Sequence, residues 1–286
     1  MNTIVLTLLA MFAFAANSIL CRIALGNELI DAATFTSIRL ASGAITLAMI
    51  LYLKNASYFR SMSIRTFNVK SSLALYMYAI CFSIAYIEIS TGTGALILFG
   101  TVQLTMILFG IVNGEKSSLL VWAGVTLACG GLVYLMLPGI DAPSPLSAIL
   151  MTISGLAWAV YSLRGKNSAD PVADTTWNFL GTLPFVAITS LAFVSSAAMT
   201  TNGILLAIGS GVIASGIGYV IWYAALPALA WTTAAIVQLS VPTIAAFGGV
   251  LFMSELITAR LLLASVATLG GIAIVIYAKK PAIQKQ

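Results

Sequence analysis

Residues 93–113 read TGALILFGTVQLTMILFGIVN, a run without one charged side chain. A helix rises 1.5 Å per residue, so about 20 such residues cross a hydrocarbon layer of roughly 30 Å. The same reading extends outward in both directions. Stretches of matching length and character lie at 3–24, 32–53 and 71–89 before it, and at 117–137, 145–164, 175–195, 203–225, 231–252 and 258–278 after it. The separators carry helix breakers: Asn27-Glu28 and Asp31, the basic loop 54–70, Gly92 and Gly94, Gly114-Glu115-Lys116, Pro138-Gly139 through Pro145, Lys166 to Asp174, Asn202-Gly203, Pro227, and Ser254-Glu255. The expected fold is therefore an all-α membrane protein of ten transmembrane helices. The third–fourth and eighth–ninth junctions are the shortest, and fusing one pair would leave nine.

Composition agrees with the spans. Of 286 residues, 60% are hydrophobic and 7% charged, and the mean hydropathy is +1.06. A soluble domain carries roughly 25% charged residues, so most of this exterior must face lipid and no soluble domain is expected. The formal charge of +5 comes with 13 basic residues that gather at span ends. They form no sustained basic face, and no nucleic-acid partner is expected. The chain has no histidine, which excludes imidazole metal sites, Ser-His-Asp triads and histidine proton relays. Cys21, Cys81 and Cys129 all fall in apolar runs without CxxC spacing and read as small core residues, not as a metal or disulfide framework. No GxxxxGK[ST] loop is present, so no ATP chemistry and no cofactor are expected. Met1-Asn2-Thr3 has no basic leader, and the apolar run continues past Leu20, as in a first spanning helix.

Orientation follows from lysine and arginine. Lys54, Arg60, Arg65, Lys70, Lys116, Arg164, Lys166, Lys279, Lys280 and Lys285 fall on the side of the N-terminus. Only Arg22 and Arg260 fall on the other, with Arg39 inside the second span. Both termini are expected in the cytoplasm.

The two halves, 1–140 and 141–286, match at an offset of 140 residues. Gly114-Glu115 aligns with Ser254-Glu255, and Gly130-Gly131 with Gly270-Gly271. Ile89-Ser90-Thr91-Gly92-Thr93-Gly94-Ala95 aligns with Leu229-Ala230-Trp231-Thr232-Thr233-Ala234-Ala235, identical at Thr93/Thr233 and Ala95/Ala235. Five spans per half is an odd number, so the second half enters the membrane in the opposite sense. A five-plus-five inverted repeat supplies two similar half-structures whose rocking alternates access to a site between them. Duplication without transport is the alternative.

These residues carry a resemblance. Two repeats each ending in a short helix-turn-helix, the small-residue stretch, Pro242 in the second half, and Gly-Glu or Ser-Glu before each half's last span make the chain similar to the drug/metabolite transporter superfamily. Within it, the chain resembles the ten-helix EamA-type branch, and most of all its bacterial aromatic amino acid exporters. The resemblance covers essentially the whole chain. It implies a bacterial inner-membrane exporter of amino acids, with a central cavity lined by spans 1–4 and 6–9 and with spans 5 and 10 peripheral. The first half departs from the pattern by having Val102 where the second has Pro242.

The residues themselves suggest where a solute would sit. Tyr78, Phe82 and Tyr86 are four apart and form one stripe. Trp158 and Tyr161 share a face of span six, and Tyr219 and Trp222 a face of span eight. An aromatic wall suits a partly apolar organic solute; core packing or an interfacial belt is the alternative. Trp222, Tyr223 and Trp231, near a membrane face, read as such a belt. Asn17, Gln103 and Gln238 are amides inside spans, suited either to interhelical hydrogen bonds or to substrate. Pro242 has no N–H and frees the Gln238 carbonyl, a candidate hinge; Pro184 loosens span seven in the same way. Ser210, Ala214 and Gly218 read as a packing face. Arg39 and Arg22 could each grip a substrate carboxylate, with snorkelling to the interface as the alternative for both and the favoured one for Arg22, at a span end. Glu88 is the only acid near the membrane core and lies at the outer end of its span, so no proton relay is evident and downhill export or exchange is expected. No nucleophile–base pair marks an enzyme, and no mid-span lysine marks a retinal receptor. Export of lipophilic drugs or cations, or a purely structural role, are the competing readings. Expected partners are a small-molecule substrate and the bilayer, and a monomer is compatible with them.

Overall fold

The structure, a computed structural model, describes residues 2–54, 68–114, 117–139, 141–165, 168–229, 234 and 237–278. Arg60, Arg65, Lys116, Lys166, Lys279, Lys280 and Lys285 lie outside them, as do Glu115, Ala230, Trp231, Thr232, Thr233 and Ala235 of the repeat comparison. The described residues fold into helices: α1 Thr3–Gly26, α2 Ala32–Lys54, α3 Val69–Ala85, α4 Thr91–Val112, α5 Leu119–Met136, α6 Pro145–Gly165, α7 Pro171–Ala192, α8 Thr201–Ala228, α9 Ser240–Met253 and α10 Ala259–Ala278. No strand occurs among them; one isolated bridge joins Ile30 to Met199. Among the described residues, seven helices are long and apolar enough to cross a membrane: α1, α2, α4, α5, α6, α8 and α10. Helices α3 (17 residues) and α9 (14 residues) are shorter. Helix α7, with Asp174, Asn178 and Pro184, is not among the seven.

Caps, rather than hydropathy, set the helix ends. Asn68 accepts a hydrogen bond from the Ser71 N–H and starts α3 at Val69. Asp170 does the same for Ala173, with Pro171 in the first turn, and Thr200 for Gly203, so α7 and α8 begin before their apolar runs do. Helix α3 stops at Ala85, with Tyr86 as its C-cap, short of the expected residue 89. Within α8 the eight residues Ser210–Ile217 form π-helical turns between α-helical ends.

The exterior, not the core, departs from that of a soluble protein. Arg39 is 1% exposed and Asn17 7%, while Leu53 is 76% and Leu251 76% exposed. Buried hydroxyls return to the backbone, as Thr36 Oγ1 does to Ala32 O at 2.7 Å. Exposed apolar side chains around a mostly apolar interior that also holds these polar groups fit a lipid surround, where every backbone group must be satisfied within the helices.

Helices α5 and α10 pack on each other backbone to backbone. A Cβ on Gly271 would lie 2.5 Å from the Gly124 carbonyl and 2.6 Å from the Ala128 nitrogen, whereas one on Gly270 meets nothing within 4 Å. The two adjacent glycines therefore have different roles, Gly271 in the seam and Gly270 outside it. Gly271→Ala is expected to cost about 1–3 kcal/mol, because backbone cannot yield as a side chain does. Gly270→Ala should be close to neutral, and thermal unfolding of the two purified variants separates them.

Candidate functional site

A cavity of about 720 Å³ opens between the helices. That lies within the usual range for small-molecule sites. It runs from Asn17, Ser18, Tyr78 and Phe82 at its inner end to Asn113, Gly165, Pro171 and Asp174 at its mouth. The mouth lies on the face where α1 begins, since α4 and α6 end there and α7 starts there. Its wall comes from α1, α3, α4, α6, α7 and α8, with Ala234 and Gln238 beyond α8. Helices α5 and α10 contribute nothing to it, and neither does α2.

Trp158 is the hub of the wall. Its ring centroid lies 4.7 Å from Tyr78, 5.3 Å from Tyr161 and 5.5 Å from Tyr219, the last nearly parallel at 29°. The structure thus brings together expected residues from α3, α6 and α8. Phe14, which sequence reasoning missed, extends the wall edge-on to Tyr219 at 5.8 Å and Trp222 at 6.0 Å. Trp222 and Tyr223 line the cavity instead of forming an interfacial belt. Tyr86 departs from its stripe: it is fully buried, bonds Thr91 O through its hydroxyl, and is absent from the lining. Phe82 reaches the lining but is fully buried between Tyr78 and Tyr86.

The amides divide. Gln103 lines the cavity with no hydrogen bond among the described residues, while Gln238 donates to Ala234 O at 3.3 Å. Asn17 donates to the Tyr78 hydroxyl at 3.0 Å and accepts from Ser210 Oγ at 2.8 Å. Arg39 does not snorkel. It lies just behind the wall, donating from Nη2 to the Tyr78 hydroxyl at 3.1 Å and from Nε to Ser215 Oγ at 3.3 Å, with the Tyr78 and Phe82 rings each 5.2 Å away. The π-helical turns carry Ser215 to that position. Ser210, Ala214 and Gly218 do share the interior, but on different partners: Ser210 on Asn17, Ala214 in the cavity wall, and Gly218 against Ala13.

Of the two expected hinges, Pro242 stands in the first turn of α9, just past a break in the helical path at Leu239. There its missing N–H costs no hydrogen bond within α9. Pro184 lies inside α7, exposed and away from the cavity.

The opposite face is shut by contacts between distant parts of the chain. Arg22 does not snorkel either: its Nε pairs with Glu255 Oε1 at 3.1 Å and its Nη1 donates to Tyr86 O at 3.1 Å and Ile87 O at 2.6 Å. The other oxygen of Glu255 accepts from the Thr91 N–H at 2.7 Å, capping α4, where a negative charge suits the helix dipole. Ser254, in the left-handed conformation at φ 52°, turns the chain so that Glu255 reaches both. Gly249 leaves the room: a Cβ there would lie 2.2 Å from Glu255 Oε2. A second staple joins the loops. Asp31 accepts from the Ala198 N–H at 3.1 Å, and Thr200 N–H donates to Leu29 O at 2.8 Å. Burial pushes the Asp31 carboxyl up, but hydrogen bonds from Thr34, Ala198 and Ala33 outweigh it and hold the group below its ordinary value. Its contribution is full above the unfolded-state pKa, about 3.9, and fades as the pH falls through the lower folded value. Asp31→Asn should therefore lower the unfolding temperature at pH 7, and the difference from wild type should begin to shrink only as the pH falls below about 4.

Residues 145–277 match the EamA-like transporter family. A protein of Pseudomonas aeruginosa called uncharacterized is 46% identical over 275 residues, which cover 96% of this chain and 94% of that one. The chain belongs to the EamA-like transporter family. Two further relatives point the same way for this EamA-like chain. The uncharacterized transporter YoaV of Bacillus subtilis is 23% identical over 83% of this chain and 85% of its own. An uncharacterized transporter of Archaeoglobus fulgidus is 29% identical over 56% and 58%. A crystal structure of a protein 17% identical superposes with a TM-score of 0.62 over 94% of this chain and 97% of the other, which shows a shared fold. This is a multi-pass membrane protein of a transporter family, not an enzyme family.

Proposed function

We propose that this EamA-like protein is a secondary transporter that exports small organic solutes, amino acids including aromatic ones, by alternating access through the central cavity. One observation carries the reading: an aromatic-walled cavity of about 720 Å³ is open on one face and closed on the other by an ion pair and a loop staple. A site reached from one side and sealed from the other is what alternation needs. The proposal includes ten membrane crossings as two inverted halves, 1–140 and 141–286, in a bacterial inner membrane with both termini cytoplasmic. It is supported by matching backbone at the repeat position, since Gly114 and Ser254 both have positive φ, at 90° and 52°. The α5–α10 seam supports it too, because Gly131 and Gly271 occupy equivalent positions and both lie in it. With the N-terminus cytoplasmic, the open mouth faces the cell interior, where an exported solute is loaded. Pro184 and the break before Pro242 are where bending would be absorbed.

Export of lipophilic cations is favoured by one feature, the carboxylate of Asp174 at the mouth. The buried charge of Arg39 at the inner end opposes it. Counterflow of labelled solutes into proteoliposomes tests the proposal. Phenylalanine and other amino acids should exchange above protein-free vesicles, while exchange of lipophilic cations alone would replace the amino acid assignment. Exchange of nothing in the panel would leave a structural protein.

A further inference from the structure

Resting on the transport reading, we infer that Arg39, Tyr78 and Ser215 form an anion subsite, and that the solutes held best are aromatic or apolar carboxylates for which an amino group is dispensable.

Arg39 is 1% exposed, and among the described residues the only ion pair is Arg22 with Glu255, so its guanidinium has no carboxylate partner. Its Nη1 makes no hydrogen bond among the described residues. A buried charge without a counter-charge is strongly unfavourable, and cation–π contact with Tyr78 and Phe82 offsets only part of that.

The hydrogen bonds then give a direction. The Tyr78 hydroxyl accepts from both Arg39 Nη2 and Asn17 Nδ2, which occupies both its lone pairs. Its proton has no acceptor among the described residues and must point elsewhere. Ser215 Oγ likewise accepts from Arg39, and its own proton has no acceptor among the described residues. Tyr78 and Ser215 both line the cavity. Two hydroxyls polarised by one guanidinium therefore present donors at its inner end, with net positive charge behind them. Donors backed by a cation are what a carboxylate needs. The one carboxylate of the lining, Asp174, is at the mouth, so an ammonium group at the inner end finds no counter-charge.

The test is equilibrium binding to the purified full chain of 3-phenylpropionate, phenylalanine, the neutral 3-phenylpropionamide and phenethylamine. The carboxylates should bind at least about tenfold more tightly than the amide or the amine, as a charged hydrogen bond requires. 3-Phenylpropionate should match or exceed phenylalanine. Tyr78→Phe, which removes one hydroxyl and keeps the ring, should bring the carboxylate-to-amide ratio close to one, measured on the folded variant, whose unfolding temperature should fall because Arg39 Nη2 and Asn17 Nδ2 lose their acceptor. Arg39→Gln should do the same if it folds; should it not fold, Tyr78→Phe decides. Equal binding of amide and carboxylate, tightest binding of the amine, a strict need for the amino group, or an unchanged ratio in Tyr78→Phe would each overturn the subsite. Transport of uncharged or cationic solutes with no carboxylate binding would also overturn it while leaving the transporter reading intact.

Discussion

Trp158→Ala should lower the initial rate of phenylalanine counterflow about tenfold while the protein still inserts, purifies and unfolds near its normal temperature. Trp158 is half-buried, lines the cavity, and is the ring that touches Tyr78, Tyr161 and Tyr219 together. An aromatic pair contributes about 0.5–1.5 kcal/mol beyond its buried area, and about 1.4 kcal/mol is a factor of ten in affinity. Removing a ring that faces open space removes contacts with the solute and leaves no sealed void. Phe82→Ala is the contrast. Phe82 is fully buried against Tyr78, Tyr86 and Arg39, and its loss should cost about 3–5 kcal/mol of stability. If Trp158→Ala behaves like Phe82→Ala, with lost stability and unchanged exchange, the aromatic wall is core.

Glu255→Gln should unlock the face opposite the mouth. The carboxylate holds Arg22 with one oxygen and the start of α4 with the other. Glutamine keeps an acceptor for Thr91 but has no charge for Arg22. A hydrogen bond to a charged group is worth about 2 kcal/mol. If only the closed state makes it, its loss raises the population of the open one about thirtyfold. A single cysteine at Phe14, in a background with Cys21, Cys81 and Cys129 replaced, reports this from inside the cavity. In Glu255→Gln, labelling by a membrane-impermeant thiol reagent from the opposite face should rise by an order of magnitude or more. Unchanged labelling would make the ion pair a static brace.

The all-helical membrane character of the fold was legible in the sequence because hydrophobic length in a bilayer is a one-dimensional property. A run such as 93–113 announces a span whatever its neighbours do. The site was legible only in part, because it depends on rotation about each helix and on partners far away in the chain. Spacing of four placed Tyr78, Phe82 and Tyr86 on one stripe, yet α3 ends at Ala85 and Tyr86 turns into the closed face. Spacing of four on α8 assumed α-helical turns. The π-helical stretch shifts the register, so that Ser210 reaches Asn17 and Ser215 reaches Arg39. Nothing local in residues 210–217 signalled that change. Snorkelling was the reasonable expectation for Arg22 as a span-end arginine, and Glu255, 233 residues away, is what holds it in place. The value of Arg39 likewise came from an absence, the lack of any acid beside it among the described residues. Only a three-dimensional neighbourhood can show that.

Labelling of Phe14→Cys from the two faces of wild-type membranes tests the central claim, one cavity with two accesses, most directly. In inside-out vesicles, where the cytoplasmic face meets the reagent, the cysteine should react without added solute. In right-side-out vesicles it should be nearly silent, and phenylalanine loaded inside should make it react severalfold faster as the carrier turns over. Reaction from one face only, whatever solute is supplied and with Glu255 intact or replaced by Gln, would contradict alternating access and leave the cavity a closed-ended pocket.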